Sequence, residues 1–168
     1  MTDYKKIAFG DIRNFLWAKL KEENILDEND YYVDKFNMKM NPIIPSQQIP
    51  EFQNLLPGVP YIVYDIEVMN EYGEQFWINE EVASLVIIAN DYQKIYEITE
   101  LIKDLFRRYD VAAGDINNYT GQTTYTFLKT SLQGSMSPSI SGEGDIQFGT
   151  VDIMYCYTRE IGSGYRVQ

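Results

Sequence analysis

The sequence contains no histidine, one cysteine and few basic residues for its length of 168. Without histidine the chain cannot form a Ser-His-Asp triad, a Cys-His pair or the usual zinc sites, and one cysteine cannot form an internal disulfide bond. The 14 Lys and Arg are outnumbered by 25 Asp and Glu, which gives a formal net charge of −11. This charge argues against a surface that wraps nucleic acid, because such a surface neutralises phosphates with cations.

Long apolar runs are also absent. The longest, residues 82–89, has the length of a strand and falls well short of the roughly 18 residues of a membrane helix. The first residues lack the apolar segment and cleavage site of a signal peptide, so we expect a protein made in the cytoplasm that has no membrane partner. A hydrophobic content of 45% is sufficient for one folded domain with a sizeable core.

The sequence carries none of the common enzyme signatures. It has no P-loop, no dinucleotide-binding glycine motif and no nucleophile elbow. The acidic segment 27–30 fails as an EF-hand, since its sixth position is Tyr32 instead of glycine. Cys156 lies in an apolar strand with no histidine to activate it, which favours an inert packing residue. We therefore predict that the protein is not an enzyme and has no cofactor and no metal site.

Apolar periodicity predicts two helices. In residues 9–22, Ile12, Phe15, Leu16 and Leu20 form one helical stripe. Residues 91–109 form the stronger amphipathic pattern, in which apolar residues recur every three or four positions. Asn90, with Gln93 three residues later, is the predicted N-cap of this second helix. Residues 110–121 are predicted to be a loop.

Alternating or continuous apolar residues predict the strands. Residues 61–68 alternate as a half-buried strand, 70–74 read as a hairpin turn, and 82–89 read as a central strand covered on both faces. Two late strands are expected within 123–159, separated by a long mobile connection at 133–144, with a β-bulge at Gly149. These elements predict an α+β fold, in which a single twisted, mainly antiparallel sheet has helices packed on one face.

Residues 39–60 form a proline-rich segment that contains five of the six prolines. Proline fixes φ and removes a backbone donor, so we expect an extended arm instead of a helix or a central strand. The arm is nevertheless apolar and must bury its side chains, either against its own domain or against a neighbouring subunit. Its candidate interface residues are Ile43, Ile44, Ile49, Phe52, Leu55 and Leu56.

Negative charge is concentrated around the predicted hairpin. Between Asn41 and Gln93 the sequence has no Lys or Arg. Three interpretations remain open: simple solubility, a docking surface for a basic partner, or the wall of a passage to which DNA does not adhere. The candidate acidic set comprises Asp65, Glu67, Glu71, Glu74, Glu80 and Glu81.

The order of these segments resembles the tail terminator (neck) proteins of tailed bacteriophages. The likeness covers residues 9–159. An N-terminal helix leads through a proline-containing stretch to a segment like 57–66, which is followed by a hairpin, an apolar strand like 82–89, an amphipathic helix like 91–108 and a late strand like 151–159. Its one local motif is Pro-Tyr-Ile-Val-Tyr at residues 60–64.

The resemblance implies a structural virion protein that is assembled in the host cytoplasm and forms a hexameric ring. Such a ring caps the tail tube, joins the tail to the head, contacts other neck and tail proteins, and lets DNA pass without tight binding. The alternatives are a head-completion or stopper protein, a tail tube subunit, and a small cytoplasmic ligand-binding domain.

Overall fold

The structure is a computed structural model that describes residues 7–33, 37–46, 60–72, 75–107, 109–122, 125–140 and 147–159. Its helices are α1 (Ala8–Glu22), α2 (Tyr92–Phe106) and α3 (Tyr109–Thr120). Its strands are β1 (Tyr32–Val33), β2 (Lys39–Met40), β3 (Ile43–Pro45), β4 (Tyr61–Tyr72), β5 (Gln75–Ala89), β6 (Tyr125–Ile140) and β7 (Gln147–Arg159).

The main sheet has five strands in the order β3-β4-β5-β7-β6. β3 runs parallel to β4, and every other neighbouring pair is antiparallel. β1 and β2 form a separate two-stranded antiparallel ladder. The predicted α+β fold, with a mainly antiparallel sheet, is confirmed.

All three helices contribute to one core on the same face of the main sheet, which we call the inner face. The predicted stripe of α1 is buried and its Phe9 ring lies 4.5 Å from the ring of Tyr64 on β4. α2 buries Ile95, Ile98 and Phe106 against the same sheet. Apolar periodicity therefore predicted α1 and α2 and the side of each that packs.

The start of α2 differs from the prediction by one residue. The N-cap is Asp91, whose Oδ1 accepts a hydrogen bond from the backbone N–H of Gln93 at 2.9 Å. Asn90 is exposed and lies outside the helix. The two adjacent residues have side chains of the same length, and the carboxylate also suits the positive end of the helix dipole.

Two segments predicted to be loops are regular structure. Residues 110–121 form most of α3, which ends before Gly121, a residue with φ of +70°. The expected mobile connection at 133–144 is wrong as far as residue 140, because β6 continues to Ile140 and pairs with β7, with register shifts after Leu132 and after Met136. Residues 141–146 lie outside the described residues.

The proposed β-bulge at Gly149 is also wrong. β7 pairs continuously with β5 through Phe148, Gly149 and Thr150. The even-numbered Phe148 lies on the face opposite Val151 without any change of register, because the sheet has apolar residues on both faces. The register shifts occur instead in β6, and one of them, between Met136 and Ser139, lies opposite Gly149.

The hairpin turn is shorter than predicted, because β4 continues to Tyr72 and β5 begins at Gln75. β5 is the central strand, as expected, but only one of its faces is fully covered. Its odd-numbered residues from 81 to 89 are buried, whereas Val82, Val86 and Ile88 are half-buried. The second face of the sheet therefore has no helix on it among the described residues.

Candidate functional site: the outer face and edges of the sheet

The face of the main sheet turned away from the helices, here called the outer face, combines apolar and acidic side chains. The side chains of successive strand residues alternate between faces, so even-numbered residues of β5 and β7 lie on the outer face. Its apolar members are half-buried: Val63, Val82, Val86, Ile88, Phe148 and Met154. The smaller ladder β1–β2 contributes Tyr32 to a satellite cluster with Ile44 and Tyr61 on this side.

The structure places the first part of the proline-rich arm in the chain's own sheet. Ile43 is fully buried in the main core and Ile44 is 3% exposed. Arg13 of α1 donates a hydrogen bond from Nε to the carbonyl oxygen of Ile43 at 2.7 Å, which fixes β3 to the helix layer. Ile43 and Ile44 are therefore wrong as subunit-interface candidates, because their own domain already covers them.

The remaining interface candidates, Ile49, Phe52, Leu55 and Leu56, lie outside the described residues. β3 is an edge strand that contains Pro45, the position in a sheet at which proline is tolerated. The prediction that this segment forms no central strand holds for the part that the structure describes.

The acidic set does not form one surface. Asp65 and Glu67 are exposed on the outer face of β4, and Glu80 lies half-buried on the same face of β5. Glu71 belongs to β4 and pairs with Asn79, whereas Glu74 lies outside the described residues.

Glu81 is on the opposite face of the sheet and is only 9% exposed. Its Oε1 accepts a hydrogen bond from the Tyr155 hydroxyl at 3.1 Å, and its Oε2 accepts one from the Tyr157 hydroxyl at 3.2 Å. Burial, followed by the charge of Glu81, raises the pKa of Tyr155, so the phenol remains a donor. Glu81 is therefore wrong as a channel-facing residue. The sequence did carry a signal for this, because residues two positions apart share a face of a strand and Ala83 belongs to the apolar face.

Cys156 and Glu80 form a polar contact on the outer face. The Cys156 thiol donates to Glu80 Oε2, with 3.6 Å between sulfur and oxygen. Burial is the first cause and Glu80 the second that raise the pKa of the Cys156 thiol to about 11. The thiolate is scarce at neutral pH, in agreement with the expectation of an unreactive residue.

At each edge of the main sheet, described residues bind only part of the edge strand's backbone. β3 covers Ile62–Tyr64 of β4 and leaves the later part of β4 beyond it. At the other edge, Asn117 of α3 binds the backbone of Phe127 on β6 as a neighbouring strand would. The Phe127 N–H donates to Asn117 Oδ1 and Asn117 Nδ2 donates to the Phe127 carbonyl oxygen, both at 2.8 Å.

The described residues contain no group of three or more side chains suited to hold a metal ion, and none of their helices has the length and apolarity to cross a membrane. A surface groove of about 590 Å³ runs between α2 and the loop after α1. Its carboxylates Glu97 and Glu100 already pair with Lys94 at 3.9 Å and Lys103 at 3.1 Å.

No protein-family model matches this sequence, and a search of curated proteins finds none with significant similarity. The comparisons therefore assign the chain to no family.

Proposed function

We propose that this protein is a structural, non-enzymatic virion component that acts as a tail terminator of a tailed bacteriophage. In this role it forms a hexameric ring that caps the tail tube, joins the tail to the head and lets DNA pass through its centre. The ring contacts other neck and tail proteins in the virion.

The arrangement of elements supports this proposal. The structure has α1, the hairpin β4–β5, α2 and the late strand β7 in the order on which the resemblance is based, and the Pro-Tyr-Ile-Val-Tyr motif leads into β4 of the main sheet. The hairpin β4–β5 and the late strand β7 are neighbours in one continuous sheet, and α1 and α2 pack on its inner face. One face of this scaffold carries no helix of the described chain, which suits a subunit that is completed by neighbours.

The observation that carries the proposal is the acidic outer face of the β4–β5 hairpin. Asp65 and Glu67 are exposed there, and neither β4 nor β5 contains a Lys or Arg. Phosphate binding is driven by the release of counterions when cations neutralise the backbone, so this surface gives DNA nothing to bind. A channel wall needs that property, since adherent DNA would not pass through it.

An antibody against the protein tests this function in phage particles that carry its gene. Labelling at the junction of head and tail, seen by electron microscopy, is the expected result. Labelling along the tail shaft would favour a tail tube subunit, and particles that assemble normally after deletion of the gene would contradict a structural role.

A matched pair of charge variants tests the role of the acidic face. Asp65→Lys combined with Glu67→Lys should create salt-sensitive DNA binding, because it places cations where none exist on the hairpin. Glu23→Lys combined with Asp104→Lys, two exposed residues that line the groove beside α2, is the control and should bind DNA less because this surface lies outside the proposed channel wall. Equal DNA binding by both variants would contradict a channel role for the hairpin.

A further inference from the structure

The groove beside α2, here called the α2 groove, is long and narrow. One wall is the exposed side of α2 and its C-cap, from Gln93 to Arg107, and the other is the loop after α1, with Glu23 and Ile25. At 1.5 Å per residue, the α2 wall is about 21 Å long. A volume of about 590 Å³ spread over that length leaves a channel about 5 to 6 Å wide.

The two walls of the α2 groove are held together by the chain itself. Lys94 of α2 donates a hydrogen bond from Nζ to the carbonyl oxygen of Ile25 at 2.6 Å. The backbone N–H groups of Ile25 and Leu26 both donate to the carbonyl oxygen of Leu20, at 3.0 and 3.3 Å, which fixes the loop to the end of α1. A ligand therefore meets walls that are already in place, and little ordering of the protein opposes its binding.

The α2 groove combines an apolar base with an exposed aromatic ring. Ile25 and Leu101 line it, pack against the main core and remain half-buried. Tyr96 also lines it and is 48% exposed, and Arg107 lies at one end. Tyrosine and arginine are enriched among the residues that contribute most binding free energy at protein interfaces. This combination is typical of a surface that binds another protein.

The charge of the α2 groove is mainly negative. Four carboxylates and one cation line it: Glu23, Glu97, Glu100, Asp104 and Arg107. Glu23 and Asp104 are exposed, and neither forms an ion pair with any cation that the structure describes. The complementary occupant is therefore basic.

The other two carboxylates are held only by exposed ion pairs. Glu97 lies 3.9 Å from Lys94, whose ammonium already donates to the carbonyl oxygen of Ile25 at 2.6 Å. Glu100 pairs with Lys103 at 3.1 Å, three residues along the same helix. Ion pairs of this exposed kind are weak, so a cation that enters the groove can share either carboxylate.

The dimensions of the α2 groove favour an extended segment over a helix. An α-helix with its side chains is about 10–12 Å across, whereas neighbouring extended chains in a sheet lie about 5 Å apart. Glu97, Glu100 and Asp104 follow one another at about 4.5 and 6 Å along the axis of α2. Side chains two residues apart in an extended segment share a side at about 7 Å, so alternate basic residues reach successive carboxylates.

No described strand of this chain has the sequence that this groove requires, since none contains two basic residues. We propose that the α2 groove binds an extended segment of another protein, about six residues long, in which lysine or arginine alternates with aliphatic residues. Its basic residues face the carboxylates of α2, and its aliphatic residues face Ile25. This contact goes beyond the proposed ring and does not depend on it.

Fluorescence anisotropy of synthetic peptides tests the proposal on the full chain at physiological ionic strength. The probe is the capped, labelled peptide Lys-Leu-Lys-Val-Lys-Leu, and its control, Lys-Lys-Lys-Leu-Val-Leu, has the same composition and charge without the alternation. We expect the alternating peptide to bind about tenfold more tightly or better. Equal affinity for the two peptides, or no binding of the alternating one, would overturn the proposal.

A matched pair of variants tests the location of the site. Glu23→Gln combined with Asp104→Asn removes two carboxylates of the α2 groove and should weaken binding of the alternating peptide about fivefold or more. Glu28→Gln combined with Asp115→Asn removes two exposed carboxylates that do not line the groove, and should change the affinity by less than about twofold. Equal losses would show that the net charge alone attracts the peptide, which would overturn the groove as its site.

The aromatic ring provides a test that leaves the charge unchanged. Tyr96→Ala should weaken peptide binding about threefold or more, because it removes an exposed ring that lines the α2 groove. Tyr92→Ala changes a 54% exposed tyrosine one turn earlier on the same helix, outside the groove lining, and is the control. If both variants bind the peptide equally well, the proposed contact is wrong.

Native mass spectrometry of the Glu23→Gln, Asp104→Asn variant separates this inference from the proposed function. The variant should form the same oligomers as the wild type, because the α2 groove binds a different protein. Loss of these oligomers would show that a second copy occupies the groove and would overturn the proposed partner. A monomeric wild type that binds the alternating peptide would contradict the ring and support this inference.

Discussion

Glu81 is a carboxylate buried among aromatic rings, and two phenols determine its environment. Its two oxygens accept one hydrogen bond each from Tyr155 and Tyr157, whose rings lie 6.1 Å apart. Burial of a carboxylate is unfavourable unless donors compensate for its lost hydration. The two tyrosines therefore support the sheet at the level where β5 pairs with β7.

Removal of the Tyr155 hydroxyl tests this contribution at the scale of one atom. Tyr155→Phe should lower the free energy of unfolding by about 1–3 kcal/mol, because it leaves a buried charged acceptor with one donor fewer. Tyr119→Phe is the matched control, since Tyr119 is 52% exposed, and it should change stability by less than about 0.5 kcal/mol. Urea denaturation measures both. Equal effects would contradict a stabilising role for this hydrogen bond.

Cys156 gives a prediction of pH dependence. The pKa of its thiol is raised to about 11 from an ordinary value of 9.0, so the reactive thiolate is about a hundredfold scarcer at pH 8 than for an ordinary cysteine. Reaction with a disulfide reagent should be slow in the folded protein and accelerate about tenfold per pH unit up to about pH 11. Protein unfolded in urea is the control, and its reaction rate should follow the pH dependence of a thiol with the ordinary pKa of 9.0.

The charge of Glu80 is the second cause of the raised pKa of Cys156, so its removal should change the reactivity of the thiol. Glu80→Gln removes the negative charge beside the sulfur and should speed the reaction at pH 8. Asp104→Asn, an exposed change on α2, should leave the rate unaltered. A reaction rate that does not respond to Glu80→Gln would leave burial as the sole cause of the raised pKa of Cys156.

At the scale of elements, α3 and β6 depend on each other. β6 is rich in residues with weak strand preference, including Gly134 and several serines, and its pairing with β7 holds it in the sheet. Asn117 of α3 closes the first part of the β6 edge by binding both backbone groups of Phe127.

Asn117→Ala should therefore destabilise the protein by about 1–3 kcal/mol, because the N–H and C=O of Phe127 lose their partner in a half-buried place. Asn118→Ala changes the exposed neighbour on the same helix and is the control, with an expected effect below about 0.5 kcal/mol. Thermal unfolding followed by circular dichroism compares them. Similar melting temperatures would show that the clamp contributes nothing.

The N-cap of α2 offers a comparison between two adjacent residues. Asp91→Ala removes the acceptor for the Gln93 N–H and should lower stability by about 1 kcal/mol. Asn90→Ala should have little effect, since Asn90 lies before the cap. A larger loss from Asn90→Ala would contradict the observed start of the helix.

Sequence periodicity predicted the elements that bury large apolar side chains and missed those that do not. α1, α2 and β5 repeat isoleucine, leucine or phenylalanine at helix or strand spacing. α3 buries mainly Ala112, Ala113 and Ile116, a stripe too small to stand out from a loop. The second half of β6 is a strand because of its tertiary pairing, which local composition does not encode.

At the scale of the whole molecule, the charge asymmetry could be predicted and the geometry of the edges could not. Alternation along β4 placed Asp65 and Glu67 together on a solvent-facing side, as the structure has them. The level of β4 relative to β6 depends on three successive strand registers, which arise only when distant segments pair.

Closure of a ring is the central requirement of the proposed function. The chain has a net charge of −11, so copies repel one another at low salt and screening should favour assembly.

Native mass spectrometry at micromolar protein concentration and physiological ionic strength tests this requirement most directly. We predict one dominant species with six times the mass of the monomer, together with round particles with a central opening in electron micrographs of the same sample. A monomer at every concentration and ionic strength, or an open series of oligomers without a closed species, would contradict the account.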